Sequence, residues 1–141
     1  MGRFPHGWIG ISREDAGRMV ITPVLFDTNI LIDYLRGQTA ARVECDLYSD
    51  RAISIVSWME VMAGSTATNE ADSRRFLLNF FTVPLTAEIA EQAVIIRRER
   101  KIKLPDAIIQ ATSESSGRVL ITRNSRDFPS GMPRVRSPYT L

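Results

Sequence analysis

Val24-Leu25-Phe26-Asp27-Thr28-Asn29-Ile30-Leu31-Ile32-Asp33-Tyr34-Leu35 is the stretch that decides how this chain is read. Three consecutive apolar residues suit a short strand buried on both faces, as strands of a parallel sheet are. An acid then stops the run, and a helix over Asn29–Leu35 follows until Gly37 ends it. The same order recurs further along. Glu60 follows Ile53-Ser54-Ile55-Val56-Ser57-Trp58-Met59, and Asp106 opens Leu104-Pro105-Asp106-Ala107-Ile108-Ile109. Asp127 closes Val119-Leu120-Ile121-Thr122-Arg123-Asn124-Ser125-Arg126-Asp127-Phe128. If the apolar runs are parallel strands, their carboxyl ends line one sheet edge, where open α/β folds bind ligands. Carboxylates gathered there repel one another unless a hard divalent cation holds them, and Mg²⁺ or Mn²⁺ suits an all-oxygen setting. The pattern points to a metal-dependent hydrolase.

Outward from that stretch, the chain alternates strands and helices, which implies an α/β domain whose parallel sheet is covered on both faces. Residues 1–19 hold four glycines, a proline and no sustained periodicity, and are expected to form an extension outside a single domain over 20–141. A first strand is expected over Val20–Phe26 despite Pro23, a second over Ala52–Val56 and a weak third over Val83-Pro84-Leu85. A fourth runs from Val119 to Thr122, and Val135 starts a final edge strand. Besides the helix over Asn29–Leu35, one begins at Thr39 and reaches about Ser49, a short one passes through Glu60 to Gly64, and one covers Asn69–Phe80. Thr86 suits the cap of a helix whose buried stripe is Ile89, Ala93 and Ile96. Pro105 fits the first turn of the last helix, which stops near Gly117.

Composition narrows the function classes. At 141 residues and 44% hydrophobic content the chain can bury one sizeable core. No apolar run reaches the roughly 18 residues of a membrane helix, and the N-terminus lacks the order of a signal peptide. His6 and Cys45 are each alone, which excludes HExxH, multi-histidine and thiolate zinc centres and any intramolecular disulfide. A reduced, cytoplasmic protein without a membrane role is the expectation. The net charge of +2 conceals an asymmetry. With the four candidate site acids set aside, 12 of the 16 acidic residues face 18 basic ones, so a polyanion nearing the site meets a basic surround. Arginine dominates the basic residues and suits bidentate phosphate contacts; a codon bias toward arginine explains the same composition equally well. Arg97, Arg98, Arg100, Lys101 and Lys103 run directly into Asp106, and Arg123 lies near Asp127. They are candidates to hold the phosphates of a polyanion, against the alternative of a solvated helix end favoured by the macrodipole.

Each acid also has a structural explanation. Asp27 suits a helix cap, Asp106 a first helical turn, and Asp127 an Asx-turn before Phe128-Pro129. Glu60 sits among Trp58, Met59, Val61 and Met62, so its charge needs an exposed cleft, a partner or a metal. Individually the structural roles are the stronger; all four acids together, each after a strand signal or at a helix start, favour a site.

The four segments together resemble the ordered acidic motifs of PIN-domain ribonucleases, in particular the VapC toxins of bacterial toxin–antitoxin pairs. Leu25–Leu35 is similar to their opening motif, Ile53–Val61 to the second, Leu104–Ala111 to the third and Leu120–Phe128 to the fourth. Ser57 stands where threonine is frequent, and residues 1–19 fall outside the pattern. The resemblance implies a three-layer α/β/α sandwich and Mg²⁺- or Mn²⁺-dependent endonucleolytic cleavage of RNA. On this mapping Asp27, Glu60 and Asp106 are core catalytic and metal-holding acids, and Asp127 completes the site. It also implies a cognate antitoxin and a homodimer. Thr28, Asn29, Ser57, Thr122 and Asn124 are polar neighbours suited to orient the acids. Asp33, six residues past Asp27, is left outside the site. Two other classes stay in view. A haloacid-dehalogenase-type phosphotransferase needs a second acid where Asn29 stands; an RNA-binding or interaction domain of this fold needs no metal chemistry, and cleavage assays separate it.

Overall fold

The computed structural model describes residues 19–141, so the expected extension falls outside the described residues apart from Met19. The elements are β1 (Val24–Phe26), α1 (Thr28–Leu35), α2 (Thr39–Asp46), β2 (Arg51–Ser54), α3 (Ile55–Ala63) and α4 (Glu70–Leu77). They continue as β3 (Phe81–Val83), α5 (Ala87–Arg100), α6 (Leu104–Ser116), β4 (Val119–Ile121) and β5 (Val135–Arg136). The five strands form one sheet in the order β3-β2-β1-β4-β5, and every neighbouring pair is parallel.

Period-2 alternation along the strands sorts the core into two halves. Val24 and Phe26 of β1, Ile53 of β2, and Val119 and Ile121 of β4 point to one face. There they meet Ile30 and Leu31 of α1, Ala41 and Cys45 of α2, Val61 of α3 and Leu77 of α4. Leu25, Ala52 and Leu120 point to the other face, against Ile89, Ala93 and Ile96 of α5 and Ala107, Ile109 and Ala111 of α6. The result is the expected three-layer α/β/α sandwich.

Several boundaries move, each for a local reason. β1 begins after Pro23, which has no N–H for the ladder, although its carbonyl accepts from Val119 N at 3.0 Å. Val20 makes only an isolated bridge to Tyr48. The second strand stops at Ser54 because that hydroxyl accepts from Val56 N at 3.1 Å and starts α3. Capping thus overrides the strand preference of Ile55 and Val56. The third strand lies before Pro84, over Phe81–Val83. The helices expected to reach Ser49 and Phe80 end at Asp46 and Leu77. Thr86 does cap α5, accepting from Ile89 N at 3.2 Å.

Candidate active site

The chain leaves β1 toward β2 on one side, whereas β4 lies on the other, so a crevice opens between the carboxyl ends of β1 and β4. Asp27 stands at its floor. Its backbone N–H donates to Ile121 O at 2.9 Å, which stitches the end of β1 to the end of β4. The side chain is only 4% exposed and acts as the N-cap of α1, accepting from Thr28 N at 2.7 Å. Its second oxygen accepts from Thr122 Oγ1 at 2.7 Å and from Asn29 Nδ2 at 3.3 Å. Burial pushes the Asp27 carboxyl above the usual range and the Glu60 charge adds to this, while the Thr122 hydroxyl, the Thr28 N–H and the Asn29 amide pull it back. The helix cap and the candidate site acid are therefore one residue.

Glu60 faces an open cleft of about 360 Å³ beside Ile32, Leu35, Arg36 and Val61. Thr28 Oγ1 lies 2.7 Å from Glu60 Oε1 and 2.8 Å from the buried Ser57 Oγ. The carboxylate can only accept, so Thr28 donates to Glu60 and joins α1 to α3.

Asp106 lies in the first turn of α6, a helix start that contains Pro105 and has no side-chain cap at Lys103. Its carboxyl is pushed up to about 6, first by burial, then by the charges of Asp27, Asp127 and Glu60 and a hydrogen bond with Asp127. Asp127 shifts the other way. Asn124 Nδ2 donates to it at 3.0 Å and lowers its pKa, with further lowering from Asp106 and Arg126. Asn124 itself is fixed by its N–H to Thr122 Oγ1 at 3.0 Å. Thr28, Asn29, Ser57, Thr122 and Asn124 thus form a hydrogen-bonded frame that holds Asp27, Glu60 and Asp127.

The arrangement is crowded but not a closed cage: among the described residues no three acidic, histidine or cysteine side chains converge as a ready-made metal cluster. An oxygen-only donor set with mutual repulsion fits a hard cation that keeps most of its waters and takes few carboxylates directly. Mg²⁺ or Mn²⁺ is compatible with it.

The expected phosphate-holding residues divide. Arg97, Arg98, Lys101 and Lys103 are exposed. The guanidinium of Arg100 is instead engaged by Gln110 Oε1 and the Asp127 carbonyl, and it stacks on Phe128 at 5.6 Å. Arg123 is likewise engaged: Nε and Nη2 donate to the Asp33 carboxylate at 2.7 and 3.0 Å. Asp33 is 2% exposed and also accepts from Tyr139 Oη at 2.8 Å. Sequence reading left Asp33 out and gave Tyr139 no role. Its one available signal was an acid on the otherwise apolar helix Ile30-Leu31-Ile32-Asp33-Tyr34-Leu35, which needs a partner when buried.

A parallel α/β/α sandwich with acids at the β1–β4 crevice defines a class of acid-lined α/β domains. A family model described as "PIN domain" matches residues 24–130. Ribonuclease VapC10 of Mycobacterium tuberculosis is 35% identical over 126 residues, spanning 84% of this chain and 94% of that protein. A toxin–antitoxin complex from Klebsiella pneumoniae superimposes with a TM-score of 0.79 at 43% identity, over 84% of this chain and 99% of that one. The DNA-bound VapBC of Salmonella typhimurium shares the fold, with a TM-score of 0.70 at 24% identity over 82% and 98% of the two chains. The chain belongs to the PIN-domain family, and within it to the VapC type.

Proposed function

We propose that this protein is a Mg²⁺- or Mn²⁺-dependent endoribonuclease that acts as the toxin of a toxin–antitoxin pair in the cytoplasm. The observation that carries the reading is the gathering of Asp27, Glu60 and Asp127 around the partly buried Asp106, whose carboxyl is pushed up to about 6 first by burial and then by the charges of those three acids. Asp27, Glu60 and Asp106 would hold the cation, and Asp127 would complete the site. When bound, the cation supplies Lewis-acid polarisation of a phosphoryl oxygen and a lowered pKa for water.

The chain's own residues do the rest. Thr122, Asn29 and the Thr28 N–H keep Asp27 oriented. Thr28 holds Glu60, and Asn124 holds Asp127 ionised. Ser57 is fully buried, so its hydroxyl is a support for Thr28 and not a nucleophile. Arg97, Arg98, Lys101 and Lys103, exposed at the α5–α6 junction, receive the RNA backbone. The exposed Val94 and Ile95 on α5 offer apolar surface to a second copy, in keeping with a homodimer. The 43%-identical relative is a toxin–antitoxin complex, which supports a cognate antitoxin as partner.

Two measurements test this. Purified protein should leave RNA intact in EDTA and cut it internally when Mg²⁺ or Mn²⁺ is restored; RNA binding without cleavage would favour a binding domain. Expression alone should arrest growth, and co-expression with a cognate antitoxin should relieve it.

A further inference from the structure

Arg123 is gripped twice by one face of α1. Asn29 and Asp33 lie four residues apart, and so on the same side of that helix. Asn29 Oδ1 accepts the backbone N–H of Arg123 at 3.2 Å, while the Asp33 carboxylate takes the guanidinium through two nitrogens. Tyr139, from the C-terminal segment, donates to the same Asp33 oxygen that receives Nε. The residue between Thr122 and Asn124 is therefore fixed at both backbone and side chain. Those two neighbours are the ones that touch the acids: Thr122 donates to Asp27 and Asn124 to Asp127. A bidentate pair on a buried carboxylate is a costly way to gain stability and a good way to fix geometry.

We propose that Arg123, held by Asp33 and Tyr139, is a positioning residue that sets the 122–127 loop so that Asp127 keeps its register against Asp27 and Asp106. The inference rests on the metal-nuclease reading above. It assigns Arg123 to the site's frame and withdraws it from direct RNA contact. Asp33 and Tyr139 gain a role that their distance from the acids conceals. The guanidinium matters through its fork, because a lysine ammonium carries the same charge but cannot bridge Asp33 with two parallel donors.

The test uses the full-length protein, Arg123→Lys and Tyr139→Phe, each assayed well below its own melting temperature. Mn²⁺ alone is the probe, titrated by electron paramagnetic resonance without RNA, and kcat and KM are then measured on an RNA substrate. Arg123→Lys should bind Mn²⁺ about ten-fold more weakly, the size expected when an outer support of a metal site is lost. Its kcat should fall while KM holds. Tyr139→Phe removes a single donor from Asp33 and keeps the ring, so it should move both quantities the same way by less, and it serves if the lysine variant fails to fold. Wild-type Mn²⁺ affinity and kcat in either folded variant, with only the melting temperature lowered, would overturn the proposal. So would a raised KM with unchanged kcat, which marks an RNA contact. Wild-type protein that neither binds Mn²⁺ nor cuts RNA would bring down the nuclease reading and this inference with it, an outcome distinct from failure of the variants alone.

Discussion

The carboxyl groups of Asp106 and Asp127 shift each other in opposite directions, Asp127 raising Asp106 and Asp106 lowering Asp127, although one opens α6 and the other follows β4. Two neighbouring carboxyl groups shift apart in this way when one of them holds a proton more readily than the other. Asp106 is the holder, because burial and the charges of Asp27, Asp127 and Glu60 disfavour its ionised form. Asp127 is the acceptor, kept ionised by Asn124. Below pH about 6 that proton reduces the negative charge packed into the crevice, part of what a cation would do.

Metal-free stability should therefore depend on pH with a definite sign. The folded protein holds the Asp106 proton up to about 6, whereas the unfolded chain releases it near 3.8. Between those values the folded state binds more protons, so the contribution of this group to stability falls as pH rises through the window. Asp27, also raised, acts in the same direction. In EDTA, the difference in melting temperature between pH 5 and pH 7.5 should be larger for wild type than for Asp106→Asn. Mg²⁺ or Mn²⁺ should stabilise the wild type more at pH 7.5 than at pH 5. Equal pH dependence in the two proteins would show that Asp106 is not crowded.

Thr122→Val should disturb Asp27 without touching any acid. Valine fills the same space, but the 2.7 Å donation to Asp27 and the acceptance from Asn124 N both disappear. Losing a hydrogen bond to a buried charged group costs about 1–3 kcal/mol. The hydroxyl also lowers the Asp27 pKa, so its removal raises it further and should move the acidic limb of the pH–kcat/KM profile to higher pH. An unchanged limb would mean that Asp27 ionisation does not govern the rate.

Much of the fold and the position of the candidate acids were legible in the sequence because both depend on local order. Val24-Leu25-Phe26 before Asp27 and Val119-Leu120-Ile121 before Thr122 announce buried strands, and Gly117, in the left-handed conformation at φ 67°, ends α6 where expected. The sheet edge then follows from parallel topology. What stayed hidden is long-range pairing. Arg123 reads as a free cation until it is seen to be bonded to Asp33, ninety positions away in sequence, and Arg100 until it meets the Asp127 carbonyl. The Ile55-Val56 pair likewise reads as strand because the outcome turns on one hydroxyl, that of Ser54, choosing to cap.

Glu44 and Arg136 provide a control for the Asp33–Arg123 pair. They form the same kind of two-nitrogen ion pair, at 2.7 and 3.1 Å, but join α2 to β5, and the sheet bond from Thr122 N to the Arg136 carbonyl, at 3.0 Å, does not depend on that side-chain pair. Tyr48 Oη donates to the same buried carboxylate at 2.8 Å. Glu44→Ala leaves a guanidinium largely buried without this partner and should cost about 3–5 kcal/mol. Chemical denaturation should show that loss. Mn²⁺ affinity and kcat, measured under folded conditions, should stay at the wild-type level. If they fall as far as in Arg123→Lys, a bidentate pair anywhere in this fold supports the site, and the special role of Arg123 is lost.

Asp106→Asn decides whether the acids act as one metal-holding unit. The substitution nearly preserves shape while removing one charge from a group that already resists ionisation. Lys103, not Asp106, is the N-cap of α6, so no capping bond is lost. Relief of crowding with Asp27, Glu60 and Asp127 should leave the metal-free melting temperature at pH 7.5 no lower than that of wild type, and Mn²⁺ binding and RNA cleavage should both collapse. A residue that served only the helix end would behave the opposite way, losing about 1 kcal/mol of stability at most and keeping activity. Calorimetry in EDTA, Mn²⁺ titration and RNA cleavage on the same preparation read all three quantities. Full cleavage by Asp106→Asn, or by the wild type in chelator, would sink the metal-nuclease assignment.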